Sequence, residues 1–556
     1  MLFLYLSLST FIVFKNTKQT YGVNDDVIIQ NWLSGFYTGS PEFMIRGSAT
    51  PRISFGFLIS NLYQLMPSIN WYSLILLVFF LFSWYLLGLL AIRSKNFIVY
   101  ATYIVASFLH LLWFIPSPTY TASSVIISFA TIIFALRKIL ENEINKNFII
   151  LTLFYAFGFL IRPESFLFGT IVTLPFIVYT VLKSREILRK SISIIMISII
   201  AVVSIIGIDV IFERAYYQNN QSWTEYRDWE TSRYKIQANA PEKALLENPE
   251  NFGWTMAEAE VFKSYNAIDS TNFTTYKLEN LIDDFQTSIN FNFGFISKSH
   301  QQIFDSDINW EWKHLIALIS FTFLIFLIFS LPKPYEFLLL SISSIGIIYF
   351  VMLYVAGFLR QPERVQVSVI FLCILLSWAS FLFSRKEVLQ DHINQFSILG
   401  WLIYVLALSS AFSQASYLIN KAAGASNAFW LTQGRYLSDF PKDSIFVGNA
   451  SQFRNNWTSP YKLERFEVEK RIMTFGWHNF SPHWVKRAQN LGLNPDNMFK
   501  SVIEDQRVFW ISDPESMEHI VKYMKEQKYE FVGPEIVGTL DYVGNEYTVW
   551  NFDSSD

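Results

Sequence analysis

The chain has one cysteine, Cys373, so it can form no internal disulfide and no cysteine-based metal cluster. Charge is scarce too. Only 16% of the 556 residues are charged, where a soluble chain carries about 25%. The formal net charge is −3, which excludes the broad basic field of a nucleic-acid binder. No Gly-rich loop opens a helix, so nothing supports nucleotide binding. There is no repeat of fixed period and no low-complexity tract. The N-terminal apolar segment has neither a basic leader nor a small-residue cleavage site, so it is expected to be retained as a helix.

Apolar residues fill the space that charge leaves. The chain is 52% hydrophobic and 18% aromatic, with 54 Phe, 28 Tyr and 17 Trp, a composition suited to lipid-facing and interfacial positions. Runs long enough to span a bilayer, at roughly 20 residues each, fall near 72–92, 97–115, 119–136, 148–161, 165–182, 191–211, 313–331, 335–357, 365–384 and 396–415. Residues 1–14 are an eleventh, short candidate. The fold class expected is a polytopic α-helical membrane protein of about 11 spans. Every second loop is basic: Arg93 and Lys95; Arg137, Lys138 and Lys146; Lys183, Arg185, Arg189 and Lys190; Lys333; Arg385 and Lys386. By the positive-inside rule these loops, with the N-terminus, face the cytoplasm of a multi-pass cell-membrane protein. The segment 53–66, between Pro51 and Pro67, has the length of an interfacial helix rather than a span. If it did span, Asp25 and Asp26 would change sides.

The opposite face then carries the long loops 15–71 and 212–312 of a transmembrane domain covering 1–415, and an extracytoplasmic domain at 416–556. Asp443–Gly448, Val508–Ile511, Tyr529–Val532, Thr539–Val543 and Tyr547–Phe552 read as strands. Met517, Ile520, Val521 and Met524 share one face of a helix over Glu515–Lys525, which makes the tail a small α/β unit.

Three charged clusters lie where spans meet that face: Asp25-Asp26; Arg162-Pro163-Glu164; and Arg360-Gln361-Pro362-Glu363-Arg364. Charges at such depth are costly and commonly line a cavity, and the prolines break the helix there. Each has a plainer reading. The aspartates suit a helix cap or turn, and the Arg–Glu pairs suit anchors for helix ends. His110 reads as an interfacial histidine. Trp223 and Tyr226, with Trp229 and Tyr234, either stack on a sugar or lie on the membrane surface. Taken together the clusters point to a reaction. A carboxylate takes the proton of an attacking hydroxyl. Arginines bind phosphate oxygens and stabilise a departing phosphate. The bilayer presents a lipid-linked donor beside them.

The order of parts over roughly residues 1–415 resembles the GT-C membrane glycosyltransferases that use polyprenyl-phosphate sugars. The strings Tyr21-Gly22-Val23-Asn24-Asp25-Asp26-Val27, Leu33-Ser34-Gly35-Phe36-Tyr37-Thr38-Gly39 and Asn70-Trp71-Tyr72 resemble a group of uncharacterised bacterial envelope proteins of that kind. The resemblance implies that Asp25 or Asp26 is the catalytic base or a metal ligand. It also implies that Arg162, Arg360 and Arg364 bind the donor phosphate, supported by Glu164 and Glu363. Metal-using members carry further acids in the second outer loop. Pro116–Thr119 has none, which speaks against a divalent metal, and no other cofactor is implied. The expected partners are the bilayer, a polyprenyl-phosphate sugar and a glycan or lipid acceptor, with no nucleic acid. Rival readings are a polymerase of lipid-linked repeat units and a transporter or flippase. Charges gathered at one face and the absence of an inverted repeat count against transport.

Overall fold

The computed structural model describes residues 1–17, 19, 21, 24–45, 50–144, 147–190, 192–237, 240–286, 334–358, 363–384, 433–453, 460–461, 467–542 and 545–553. It has two layers, a bundle of apolar helices and a module of short helices around a five-stranded sheet. In chain order the first helices are α1 (Leu2–Asn16), α2 (Asn24–Leu33), α3 (Ile53–Leu65), α4 (Trp71–Arg93), α5 (Phe97–Phe114) and α6 (Tyr120–Leu140). They are followed by α7 (Asn147–Ile161), α8 (Pro163–Ile171), α9 (Leu174–Lys183), α10 (Arg185–Lys190), α11 (Ile192–Asn219) and α12 (Gln221–Ile236).

Among the described residues, 4 helices are long and apolar enough to cross a membrane: α4, α6, α11 and Pro334–Phe358. The expected single span at 165–182 is corrected. It is two helices, α8 and α9, bent by 47°. Pro175 lacks the N–H for the preceding turn and its ring opposes the carbonyl of Ile171, so the chain breaks at Val172-Thr173 and starts again. Counted as one broken span, this pair brings the number to 5. α1 has 15 residues and α3 has 13. At about 1.5 Å per residue both fall short of an apolar core of about 30 Å. The expected spans at 313–331 and 396–415, and the expected domain boundary at 416, lie outside the described residues.

The helix α6 is the axis of the bundle. Its small polar residues let neighbours approach closely. Ser124 Oγ lies 2.8 Å from the carbonyl of Gly158 and 2.9 Å from that of Arg162, and its one proton serves either. Gly169 lies so near Ser128 that a Cβ there would stand 2.1 Å from its hydroxyl. Among the described residues, the basic-loop residues Arg93, Arg137 and Lys183 are bound by acids that the charge count overlooks. Arg93 pairs with Glu143, Arg137 with Glu141, and Lys183 with Glu336. His110 is not interfacial. It is buried in the bundle, its ring stacked 3.9 Å from that of Phe371.

The sheet has the order β2-β1-β3-β5-β4. The strands β1 (Ile445–Asn449), β2 (Ile472–Phe475) and β3 (Val508–Ser512) run parallel. β4 (Gly533–Tyr542) and β5 (Asn545–Asp553) form an antiparallel hairpin on β3. β2 was not anticipated, and Tyr529–Val532 is not a strand, since β4 begins at Gly533. The helix over Glu515–Lys525 is present as Pro514–Glu526. The core under the sheet is assembled from two distant parts of the chain. Trp223, Trp229, Trp254, Phe262 and Phe273 share it with Phe475, Trp484 and Trp510.

A buried ion pair ties the start of α3 to α11. Asp209, in apolar α11, is fully buried. Its carboxylate takes Arg52 Nε (2.5 Å) and the backbone N–H of Ser54 (2.9 Å), and Arg52 also pairs with Glu213. Arg52→Met leaves the buried Asp209 carboxylate without its counter-charge, beside the partly exposed Glu213, and should destabilise the protein by about 3–5 kcal/mol. The midpoint of thermal unfolding in detergent measures this, and an unchanged midpoint would contradict it.

Candidate functional site

The site forms around the N-terminus of α6, where the free N–H groups and the helix dipole favour an anion. The Asp26 carboxylate lies there. Its Oδ1 accepts the Tyr72 hydroxyl (2.6 Å) and the backbone N–H of Tyr120 (3.3 Å). Thr119 caps the same helix end by accepting from the backbone N–H of Ala122. Arg162, at the end of α7, lies on the other side of Tyr120, with its guanidinium 4.9 Å from the ring centroid. It donates to Thr121 Oγ1 and makes a loose pair with the exposed Glu164 at 3.8 Å. Two clusters 136 positions apart, counting from 26 to 162, therefore meet across one tyrosine. Tyr234 of α12 is within electrostatic reach of Arg162 and Glu164, and burial pushes its phenol up.

The strings that carried the resemblance converge in the fold. Asn70 Nδ2 donates to Tyr21 (3.4 Å) and to the carbonyl of Pro460, while Tyr63 donates to Asn70 Oδ1 (2.6 Å). Tyr21 also shares a hydrogen bond with Ser73 (2.6 Å), and burial pushes its phenol well up, which keeps it neutral. A continuous polar network therefore runs from the segment at Pro460 through Asn70 to the residues around Asp26.

Adjacent residues in a helix point about 100° apart, so α2 sends its two aspartates in different directions. Asp26 enters the bundle and is fully buried. Asp25 is half-buried and lies within electrostatic reach of His478 in the sheet module. Seven residues on, and therefore on Asp25's face, Trp32 packs edge-on against His483 (centroids 4.9 Å apart), Trp477 (5.4 Å) and His478 (5.7 Å). The helix Pro482–Asn490 presents His483, Lys486 and Arg487 at i, i+3 and i+4, one face, to the chain after α2. His483 Nε2 donates to the carbonyl of Met44, Lys486 pairs with Glu42 (2.9 Å), and Arg487 lies over the ring of Tyr37 (4.9 Å).

Trp223 and Tyr226 are not exposed platforms. Both are buried in the core under the sheet, where Trp223 meets His483 edge-on and Tyr226 donates to the carbonyl of Trp477. Arg360 lies outside the described residues. Glu363 and Arg364 begin the helix Glu363–Ser384, but their side chains are outside the description too. Among the described residues, no group of three or more His, Cys, Asp or Glu could hold a metal ion. Taken singly, Tyr120, Trp32, His478 and His483 carry no sequence signal of a site, and Tyr72 enters only as part of the string Asn70-Trp71-Tyr72. The spacing of His483, Lys486 and Arg487 was the available signal.

No family model matches the chain and no curated protein is similar to it. Among solved structures, the apo crystal structure of ArnT from Cupriavidus metallidurans aligns with 10% identity. The alignment covers 98% of this chain and 97% of that one, with a TM-score of 0.42, an overlap too low to establish a shared fold.

Tyr72→Phe removes a hydroxyl from a buried carboxylate without changing shape. It should cost about 1.5–3 kcal/mol, read as a lower unfolding midpoint. A neutral result would mean that Tyr72 does not support Asp26.

Proposed function

We propose that this membrane protein is a glycosyltransferase of the GT-C kind. It would move a sugar from a polyprenyl phosphate to an envelope glycan or lipid acceptor, on the membrane face opposite its basic loops. The observation that carries the reading is the meeting of acid and arginine at one helix N-terminus, Asp26–Tyr120–Arg162, with Asp25 beside it. Asp25 is the better base of the pair, because Asp26 is committed to Tyr72 and to α6 while Asp25 is half-exposed. An acceptor hydroxyl attacks the anomeric carbon and its proton passes to the Asp25 carboxylate. The bond from that carbon to the phosphate oxygen breaks, and polyprenyl phosphate leaves with the electron pair. Arg162 meets the phosphate, which displaces the loosely held Glu164. Arg360 and Arg364 complete its binding, with Glu363 in support. The sheet module lies over the site and helps hold the acceptor.

Purified protein in liposomes, supplied with lipid-linked donors extracted from bacterial envelopes, tests this. Asp25→Asn keeps size and most hydrogen bonding but cannot take a proton, so transfer should fall about 100-fold or more in folded protein. Asp26→Asn should act mainly through stability. Full activity in the Asp25→Asn variant would refute Asp25 as the base. Full activity in the double variant would refute the mechanism.

A further inference from the structure

The proposed base sits on a helix held from two sides. One side of α2 is locked to the bundle by Asp26. The other carries both Asp25 and, two turns and about 10 Å away, Trp32. Trp32 is almost fully buried among Trp477, His478 and His483, all from the sheet module. Both imidazoles are anchored through Nε2, His478 to the carbonyl of Thr474 (3.0 Å) and His483 to that of Met44. A ten-residue helix moves as a rigid rod, so the seat of Trp32 sets the rotation of the face that bears Asp25.

We propose that Trp32 is a positioning residue through which the sheet module holds Asp25 in place, so that the site at the membrane is complete only while the module is docked. This rests on the reading of Asp25 as base. The docking is sensitive to acid. Desolvation lowers His478 to about 4, with Asp25 opposing this and Arg233 adding to it. Desolvation likewise lowers His483 to about 4, opposed by Glu42 and reinforced by Lys486. When the module lifts, the rings reach water and regain a pKa near 6.5. The open form therefore binds more protons between about pH 6.5 and 4, and docking weakens as pH falls through that window. At pH 5 each imidazole favours opening by about 20-fold relative to neutral pH.

The test uses full-length protein in liposomes, comparing wild type, Trp32→Ala, Trp32→Phe and a double His478→Gln, His483→Gln variant. Gln keeps an N–H where each Nε2 donates but does not titrate in this range. The protection of residues 24–45 against hydrogen exchange, read without substrate and relative to the intrinsic rate at each pH, should fall reversibly in wild type between pH 6.5 and 5 and stay flat in the double variant. Transfer should fall about 100-fold in Trp32→Ala through misplacement of the base, with partial recovery in Trp32→Phe. Equal pH responses in wild type and the double variant, or unchanged turnover in Trp32→Ala, would overturn the proposal. If exchange behaves as expected but wild type transfers no sugar from any lipid-linked donor, the glycosyltransferase reading fails instead.

Discussion

Placing the Asp26 carboxylate inside an apolar bundle is the constraint that organises the rest. An ionised carboxyl is tolerated away from water only if donors surround it. Here they come from two other parts of the chain: the Tyr72 hydroxyl at the start of α4 and the Tyr120 N–H at the start of α6. Meeting that requirement brings the N-termini of α2, α4 and α6 together. Arg162, stacked on Tyr120, adds the end of α7. The same constraint separates the adjacent aspartates, since satisfying one inside the bundle turns the other outward by about 100°.

A second buried tie, Arg52 with Asp209 and Glu213, joins the start of α3 to α11 by the same physics. A buried ion pair adds little net stability over apolar packing, yet losing one partner is severe. Such a pair fixes where the first long loop leaves the bundle.

Elements whose signal is local were legible in the sequence. The long apolar runs gave α4, α6, α11 and Pro334–Phe358, short buried runs gave β1 and β3, and Thr539–Val543 and Tyr547–Phe552 fell on β4 and β5. The break at Val172 has a local cause, Pro175, but was masked by an unbroken apolar run. Long-range pairing left no such trace. Asp209 is 157 positions from Arg52, and nothing near either names the other. The aromatics of α12 were seen but misplaced. Trp223, Tyr226 and Trp229 recur at i, i+3 and i+6, which marks a buried stripe, but periodicity cannot say what covers it. At the site, Asp25, Asp26 and Arg162 were legible as costly charges near spans. The partners that distinguish them, Tyr72 and His478, carry no such cost, so nothing in the sequence marks them as partners.

The split core of the sheet module has a consequence for how the protein is made. Trp223, Trp229, Trp254 and Phe273 leave the ribosome well before Trp484 and Trp510, with the helices Pro334–Phe358 and Glu363–Ser384 made in between. Until β1 to β5 arrive, the first half of that core has no partner layer. Contacts so distant along the chain close late, and the half-made core is apolar surface that can associate wrongly in the meantime. The last strand, β5, pairs with β3 and brings Phe552 against Trp510. Closure of this core thus waits for β5, and loss of that strand would strike the earliest-made aromatics of the module as well.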